Sequence, residues 1–222
     1  MHWIIQMCHI LITGRSFDVN QVSGGSQNRV LFDFTHPNAS TIDWLESSDT
    51  VRVPGKSKAL ITMQKAQLFQ RAVFFALLNP QPNGAGFAGV NTDTNLDLSQ
   101  CSAIDMKIRA QGQYSGFKVV LMHHGEGGSN VTTYEQFFQA PSEFQVVSLP
   151  LSDFKPYYRG ALVNNTIPLD TSDITRFGIQ FYGGVYSNVK QSGPATLEID
   201  WIKASAWLCL ENWQRKTQKF FP

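Results

Sequence analysis

The sequence predicts an all-β fold, an antiparallel β-sandwich of the jelly-roll kind, and three observations support this. Short runs of alternating or continuous apolar residues recur along the chain. Turn signals rich in glycine, proline and asparagine separate them, such as Pro54-Gly55, Asn83-Gly84 and Gly183-Gly184. No long segment with helical periodicity occurs between residues 29 and 204. Many short strands joined by glycine-rich turns are typical of antiparallel sandwiches.

The strands are predicted from these runs in order along the chain. Short helical turns are predicted at Ser40–Leu45, where Ser40 caps the turn and Trp44 points to the core, and at Ser152–Phe154. The predicted strands are Val30–Phe34, Ala59–Met63, Ala72–Leu78, Gly86–Val90, Ala103–Arg109, Phe117–Met122, Thr132–Phe138, Phe144–Leu149, Ile174–Phe181 and Thr196–Ile202.

The last predicted strand shows how the core is chosen. Leu197, Ile199 and Trp201 occupy one face of it, and acidic residues occupy most of the other. Because residues two apart share a face, parity selects the core candidates but leaves open which of Val119 and Val120 points inward. The candidates are Phe32, Phe34, Trp44, Ile104, Met106, Ile108, Val119, Leu121, Phe137, Val147, Leu149, Phe177, Ile179, Phe181, Ile199 and Trp201.

Composition favours one folded domain. The chain has 222 residues, of which 42% are hydrophobic and 16% charged. A net charge of +1 and a pI near 7.7 provide no general attraction to nucleic acid or anionic membranes. Cys8, Cys101 and Cys209 lack metal-site spacing and are predicted to be reduced thiols. A Cys101–Cys209 disulfide is the alternative if the protein is exported.

The two ends are predicted to lie outside the sandwich domain, which spans residues 29–204. Residues 1–28 are a leader and linker, with a secretory leader, a mitochondrial transit peptide and a truncated or mis-started gene model left open. Residues 205–222 form an extension whose aromatic and basic residues predict a short amphipathic helix. That helix packs against the domain or contacts a membrane surface or partner. Sequons at Asn38, Asn130 and Asn164 favour export.

The residues that catalysis requires do not form a recognisable pattern. Gly55-Lys56-Ser57 has Thr50 where a phosphate-binding loop needs its first glycine. His123 and His124 alternate on a strand, so they are predicted to form a solvated strand end with Glu126 rather than a metal site. Carboxylates at Glu135, Asp153, Glu198 and Asp200 show no convergence of the glycosidase kind. We therefore predict no catalytic residue, no metal and no cofactor.

Binding is the better-supported use of the surface residues. Aromatic rings stack on the C–H faces of sugars, and tyrosine, tryptophan and arginine are enriched in protein interfaces. Scattered surface aromatics remain the simplest alternative. The candidate aromatic residues are Tyr114, Tyr134, Tyr157, Tyr158, Tyr182, Tyr186 and Trp207.

Several segments, in order, resemble one known family. They are Val30-Leu31-Phe32-Asp33-Phe34, Ser48-Asp49 followed by Gly55-Lys56-Ser57, Leu149-Pro150-Leu151-Ser152-Asp153-Phe154 leading to Arg159-Gly160, and Glu198-Ile199-Asp200-Trp201. Together they resemble the complex I intermediate-associated protein family over roughly residues 29 to 204. The resemblance implies a β-sandwich related to galactose-binding-like domains and to some carbohydrate-binding modules.

Family residues can be transferred to this chain one at a time. Pro54 stands where the family has the first glycine of a pair, and Arg109-Ala110-Gln111-Gly112 lacks the acidic residue of an Arg-Gly-Asp-Gly-like turn. Structural roles would explain most of the matching positions equally well. The binding residues that we expect from the resemblance and from the aromatic pattern are Asp49, Ser57, Arg109, Asp153, Tyr157, Tyr158 and Arg159.

The resemblance implies a non-enzymatic assembly factor, a chaperone-like module that binds partly assembled subunits of mitochondrial NADH:ubiquinone oxidoreductase. Its partners would be proteins, with no nucleic acid and only peripheral membrane contact. The alternative is a secreted or lumenal carbohydrate-binding module, favoured by the sequons, the apolar leader and the related fold. An enzyme accessory domain is a third interpretation, because fold alone does not determine function.

Overall fold

The computed structural model describes residues 28–53, 55–125, 131–164 and 167–206. The predicted leader, the tail beyond Ala206, Cys8 and Cys209 with their possible disulfide, Glu126 and the Asn130 sequon lie outside these residues. Within the described part of the chain, no helix is long and apolar enough to cross a membrane.

The described residues form thirteen strands and two 3₁₀ turns. The 3₁₀ turns are Asp49–Val51 and Leu151–Asp153. The strands are β1 Arg29–Asp33, β2 Leu45–Glu46, β3 Lys58–Lys65, β4 Gln70–Leu78, β5 Phe87–Leu96, β6 Cys101–Gly112, β7 Gly116–His123, β8 Thr133–Gln139, β9 Gln145–Pro150, β10 Lys155–Tyr158, β11 Ala161–Leu162, β12 Ile174–Tyr182 and β13 Gly193–Ala206.

The strands form two antiparallel sheets packed face to face. The six-stranded sheet has the order β3-β4-β13-β6-β9, and β1 pairs with the second half of β13, beyond the end of β4. The seven-stranded sheet has the order β11-β10-β8-β7-β12-β5-β2. Strand alternation gives each sheet an apolar inner face, and the two inner faces bury the core between them. The predicted β-sandwich is confirmed.

Each predicted strand is present, with shifted ends. β2, β10 and β11 were not predicted, since two to four residues carry too little periodicity to be recognised. The predicted turn at Ser152–Phe154 is the 3₁₀ turn Leu151–Asp153. Ser40–Leu45 is not helical. There, the Ser40 Oγ accepts the Ile42 N–H at 3.1 Å in a local turn, and Trp44 is nevertheless buried in the core as predicted.

Two core predictions are wrong. Trp201 lies on the outer face beside Lys203, whose Nζ is 4.3 Å from the ring centroid. A β-bulge between Ile199 and Trp201 shifts the alternation by one residue, so Ile202 is the buried neighbour instead. In β8, Phe137 is 41% exposed.

Pairing explains the β8 error. Phe138 lies opposite the interior Phe117, whereas Phe137 lies opposite Lys118 on the outer face. The same register resolves the question that parity left open in β7, because Val119 belongs to the core cluster. Pairing with the neighbouring strand therefore decides which set of alternate residues faces the core, and that strand can be distant in sequence.

Candidate binding site

The outer face of the seven-stranded sheet carries a row of three aromatic rings, which we call the aromatic face: Phe137, Tyr157 and Tyr182. The ring of Phe137 lies between the other two, with centroid distances of 5.5 Å to Tyr157 and 4.9 Å to Tyr182. Both pairs are edge-on, a favourable arrangement of aromatic quadrupoles. β10, β8 and β12 supply one ring each, so only strand pairing brings them together.

A buried ion pair lies beneath this row. The Lys118 Nζ is 2.6 Å from the Glu135 carboxylate, and both side chains are more than nine-tenths buried. The Thr133 hydroxyl donates a second hydrogen bond to Glu135 at 2.9 Å. Burial raises the pKa of Tyr157, and the negative charge of Glu135 raises that pKa further. The shift favours the neutral form of the phenol, which can donate a hydrogen bond.

Glycines form the floor beside the aromatic row. Gly178 and Gly89 lie on neighbouring strands, and a Cβ on Gly89 would come 2.4 Å from the Gln180 side chain. Gly178, Gln180 and Arg176 help to line a cleft of ≈ 40 Å³, and Arg176 forms an ion pair with Asp93. Rings with amide and guanidinium groups beside them suit a flat partner that carries both apolar surface and polar groups.

The outer face of the six-stranded sheet carries a different arrangement, which we call the ionic face: Arg71, Arg109, Gln111, Glu198 and Asp200. The Glu198 carboxylate accepts hydrogen bonds from Arg71 at 2.7 Å, from Arg109 at 2.9 and 3.0 Å, and from Gln111 at 2.6 Å. The Asp200 carboxylate lies 3.1 Å from the Lys107 ammonium. β4, β13 and β6 are thereby cross-linked through their side chains.

Aromatic stacking completes the ionic face. The ring of Phe144 lies against both guanidinium groups, 4.2 Å from Arg71 and 4.8 Å from Arg109. Beside this cluster the sheet surface has a shallow depression of ≈ 430 Å³. It is lined by Thr62, Met63, Gln64, Val73, Phe75, Arg109, Gln111, Thr196 and Glu198.

Asp49 and Ser57 form an internal link rather than an exposed site. The Asp49 carboxylate accepts the Ser57 N–H at 2.9 Å and the Ser57 hydroxyl at 2.7 Å. The Ser57 Oγ in turn accepts the Asn79 N–H at 3.0 Å. A Cβ on Gly55 would come within 2.0 Å of the Asp49 carbonyl oxygen, so the loop requires glycine there. The Gly-Lys-Ser segment is thus held within the fold.

The structure disperses the residues that the sequence predicted for binding. Tyr157 belongs to the aromatic face, and Arg109 belongs to the ionic face on the opposite sheet. Tyr158 and Arg159 lie where β10 ends, with the guanidinium 5.3 Å from the ring, and Arg159 has a positive φ of 52°. Asp153 is exposed in the second 3₁₀ turn.

The sequence analysis did not assign binding roles to the partners that complete the two faces. They are Phe137, Lys118, Glu135, Arg71 and Glu198, whereas Tyr182 was already among the candidate aromatic residues. Their contacts join strands far apart in sequence, so no local pattern marks them as one site.

The two histidines also differ from expectation. His123 is buried, not solvated, and its Nδ1 accepts the Asp170 N–H at 2.9 Å. His124 adopts a left-handed φ of 55° just beyond β7, which brings the two rings to 4.3 Å. Its ring nitrogens lie 3.3 Å from Asp170 and 3.2 Å from Asp173. Among the described residues, no cluster of His, Cys, Asp and Glu has metal-binding geometry.

The fold belongs to the class of galactose-binding-like β-sandwiches that includes carbohydrate-binding modules. The family 11 module of a Clostridium thermocellum cellulosomal cellulase is similar, with a TM-score of 0.58 at 14% identity over 82% of this chain and 96% of that one. The same module in complex with a β-1,3-1,4-mixed-linked tetrasaccharide gives a TM-score of 0.60 at 15% identity, with the same coverage. At these identities the likeness concerns the fold.

Sequence comparison identifies the family. Residues 32–199 match the family profile of complex I intermediate-associated protein 30. An uncharacterized protein of Schizosaccharomyces pombe is 31% identical over 173 residues, which cover 73% of this chain and 77% of the relative. The chain belongs to the complex I intermediate-associated protein 30 family, and the resemblance seen in the sequence is confirmed.

Proposed function

We propose that this protein is a non-enzymatic, chaperone-like module that binds partly assembled subunits of respiratory complex I in mitochondria. Family membership across residues 32–199, nearly the whole sandwich, carries the proposal. The family and the fold are those of binding domains. Contact with the membrane would be peripheral.

The surface supports protein binding as the mode of action. The two outer faces carry phenylalanine, tyrosine and arginine side chains, and these residue types are enriched in protein interfaces. On the ionic face, Arg71 and Arg109 are already held by Glu198, so their geometry is fixed before a partner arrives. Such preorganisation reduces the entropy lost on binding.

Depletion in cells tests this function, combined with recovery of a C-terminally tagged chain. We expect the tagged chain in mitochondria, co-purification of complex I subunits, and accumulation of incomplete complex I after depletion. Rescue with the wild-type protein is the control for depletion. Normal complex I assembly after depletion, without any co-purifying subunit, would refute the proposal.

Carbohydrate binding is the second candidate, and the aromatic face favours it. A row of three adjacent rings, with the phenol of Tyr157 among them, supplies aromatic surface for stacking on a sugar ring and a hydroxyl for bonding to it. The sequon asparagines Asn38 and Asn164 are both exposed, as glycosylation of an exported chain requires.

Calorimetry with a β-1,3-1,4-mixed-linked tetrasaccharide, followed by a glycan array, tests this candidate. Phe137→Ala and Tyr157→Ala should abolish any binding, and Phe75→Ala on the other sheet serves as the matched control. Secretion with a deglycosidase-sensitive shift would support the export that this function needs. Mitochondrial import without a glycan shift, together with a blank array, would exclude it.

A further inference from the structure

β3 is an edge strand whose outer backbone groups are unused. It pairs with β4 on one side and stands at the end of the six-stranded sheet. The Ala59 N–H donates to the Glu46 side chain at 3.1 Å, which shows that this residue directs its backbone groups away from β4. By alternation, Ile61, Met63 and Lys65 direct their N–H and C=O groups the same way.

Only the beginning of this edge is covered. Glu46 binds both the Ala59 N–H and the Lys58 ammonium, the latter at 2.8 Å. Within the described part of the chain, no hydrogen bond occupies the outward groups of Ile61, Met63 or Lys65. A row of unsatisfied backbone donors and acceptors is a template for another strand.

The side chains around the edge suit an apolar strand. The six residues from Ala59 to Gln64 are uncharged and contain no proline, so the edge lacks the usual protection against pairing. Leu60 lies opposite Phe75 and beside Leu77, and all three are exposed on the outer face. The depression of ≈ 430 Å³ begins at this edge, at Thr62 and Gln64.

We propose that β3 is a docking edge for an extended segment of a partner polypeptide, which adds to the sheet as an antiparallel strand. Alternate apolar side chains of the segment would pack on Leu60 and Phe75. An acidic residue near its N-terminal end would face Lys65, which forms no ion pair among the described residues. The choice of an unassembled subunit as the partner rests on the proposed function. The docking edge itself does not.

Charge argues against a second copy as the occupant. In an antiparallel pair of two β3 strands centred on Met63, each Lys65 would lie opposite Ile61, with no carboxylate to receive it. The Lys58 ammonium already has its partner in Glu46 of the same chain. An acid-flanked strand from another protein satisfies both the backbone groups and the unpaired lysine.

A fluorescein-labelled short peptide that alternates valine with threonine and begins with glutamate is the probe. Binding to the full chain is followed by fluorescence anisotropy, and amide hydrogen exchange should slow at Ile61, Met63 and Lys65. Met63→Pro removes an outward N–H but leaves the pairing with β4, and should weaken binding at least about tenfold. Met63→Leu keeps the N–H and serves as the matched control.

Lys65→Glu keeps the backbone intact and covers the case in which the proline variant does not fold. It should prefer the same peptide beginning with lysine over the one beginning with glutamate. The proposal would be overturned if the peptide left hydrogen exchange at the three amides unchanged, or if Met63→Pro bound the peptide as tightly as the wild type. Self-association of the full chain through β3, measured by sedimentation, would also overturn it. Complex I subunits recovered equally with Met63→Pro would refute the docking edge but leave the proposed function standing. Peptide binding at β3, without any effect of depletion on complex I, would support the docking edge but refute the proposed function.

Discussion

Replacing Glu198 by glutamine should destabilise the fold more than any exposed ion pair could. The substitution keeps the shape of the side chain but removes the charge that faces two guanidinium groups. The Glu198 side chain is 6% exposed, Arg71 12% and Arg109 32%. Arg71 would therefore remain largely buried with its charge poorly compensated.

The solvent exposure of these side chains determines how much stability the substitution should cost. Breaking a fully buried pair costs about 3–5 kcal/mol, whereas exposed pairs contribute under about 1 kcal/mol. Because Arg109 retains substantial contact with water, we expect a loss of about 2–3 kcal/mol in the free energy of unfolding. For a domain of this size, that corresponds to a Tm lower by about 4–12 °C.

Urea and thermal unfolding followed by circular dichroism measure this loss. Lys58→Ala removes the exposed pair with Glu46 and provides the control, with an expected change under about 1 kcal/mol. The triple variant Arg71→Met, Arg109→Met and Glu198→Leu should recover part of the loss, since it replaces all three charges with apolar contacts. A loss for Glu198→Gln no greater than that of the control would show that water screens the network, and would refute the reasoning.

Three further predictions concern other parts of the fold. Ser57→Ala keeps the backbone N–H bond to Asp49 but removes the hydroxyl, which donates to the buried Asp49 carboxylate and accepts the Asn79 N–H, so urea unfolding should show a loss of about 2 kcal/mol. Lys118→Met leaves the buried Glu135 carboxylate without its cation, so the free energy of unfolding should fall by about 2–4 kcal/mol at neutral pH. Replacing Glu135 by leucine as well should recover part of this loss. Burial raises the pKa of Tyr182 above its unfolded value, so the folded chain keeps a proton that the unfolded chain loses. Stability should therefore fall as the pH rises above about 10, and tyrosinate absorbance of the folded protein should show the late titration.

The sequence predicted the sheet architecture well because alternation is a local property. β12 alternates from Phe177 to Phe181, beyond its bulge near Ile174, and β13 alternates up to Ile199, and the core residues of these stretches are correctly assigned. One error arises at the bulge before Trp201, where an extra residue breaks the alternation. The other arises in β8, where the adjacent Phe137 and Phe138 are both aromatic and either could face the core. In each case the pairing strand decides, and the sequence does not reveal which strand that is.

The candidate sites were less predictable for the same reason. Arg109 was selected from the sequence, but its partner Glu198 is 89 residues away, and Arg71 is 127 residues from Glu198. Similarly, Tyr157 and Tyr182 were selected as aromatic candidates without Phe137, the ring that lies between them. A site on a sheet face assembles one residue from each of several strands, so single motifs can at best identify one of its members.

The positions of the family-matching residues in the fold help to locate the binding surface. Asp49 and Ser57 bond to each other inside the fold, and Glu198 is satisfied by its own chain. Asp49, Ser57 and Glu198 therefore hold the scaffold, namely the loop after β2 and the register of three strands. Groups still open to a partner include the rings of the aromatic face and the outward backbone groups of β3. Family members that share the scaffold residues should thus differ in partner according to the aromatic row and the β3 edge, and exchanging β3 between two members should transfer partner preference while exchanging Asp49 and Ser57 should not.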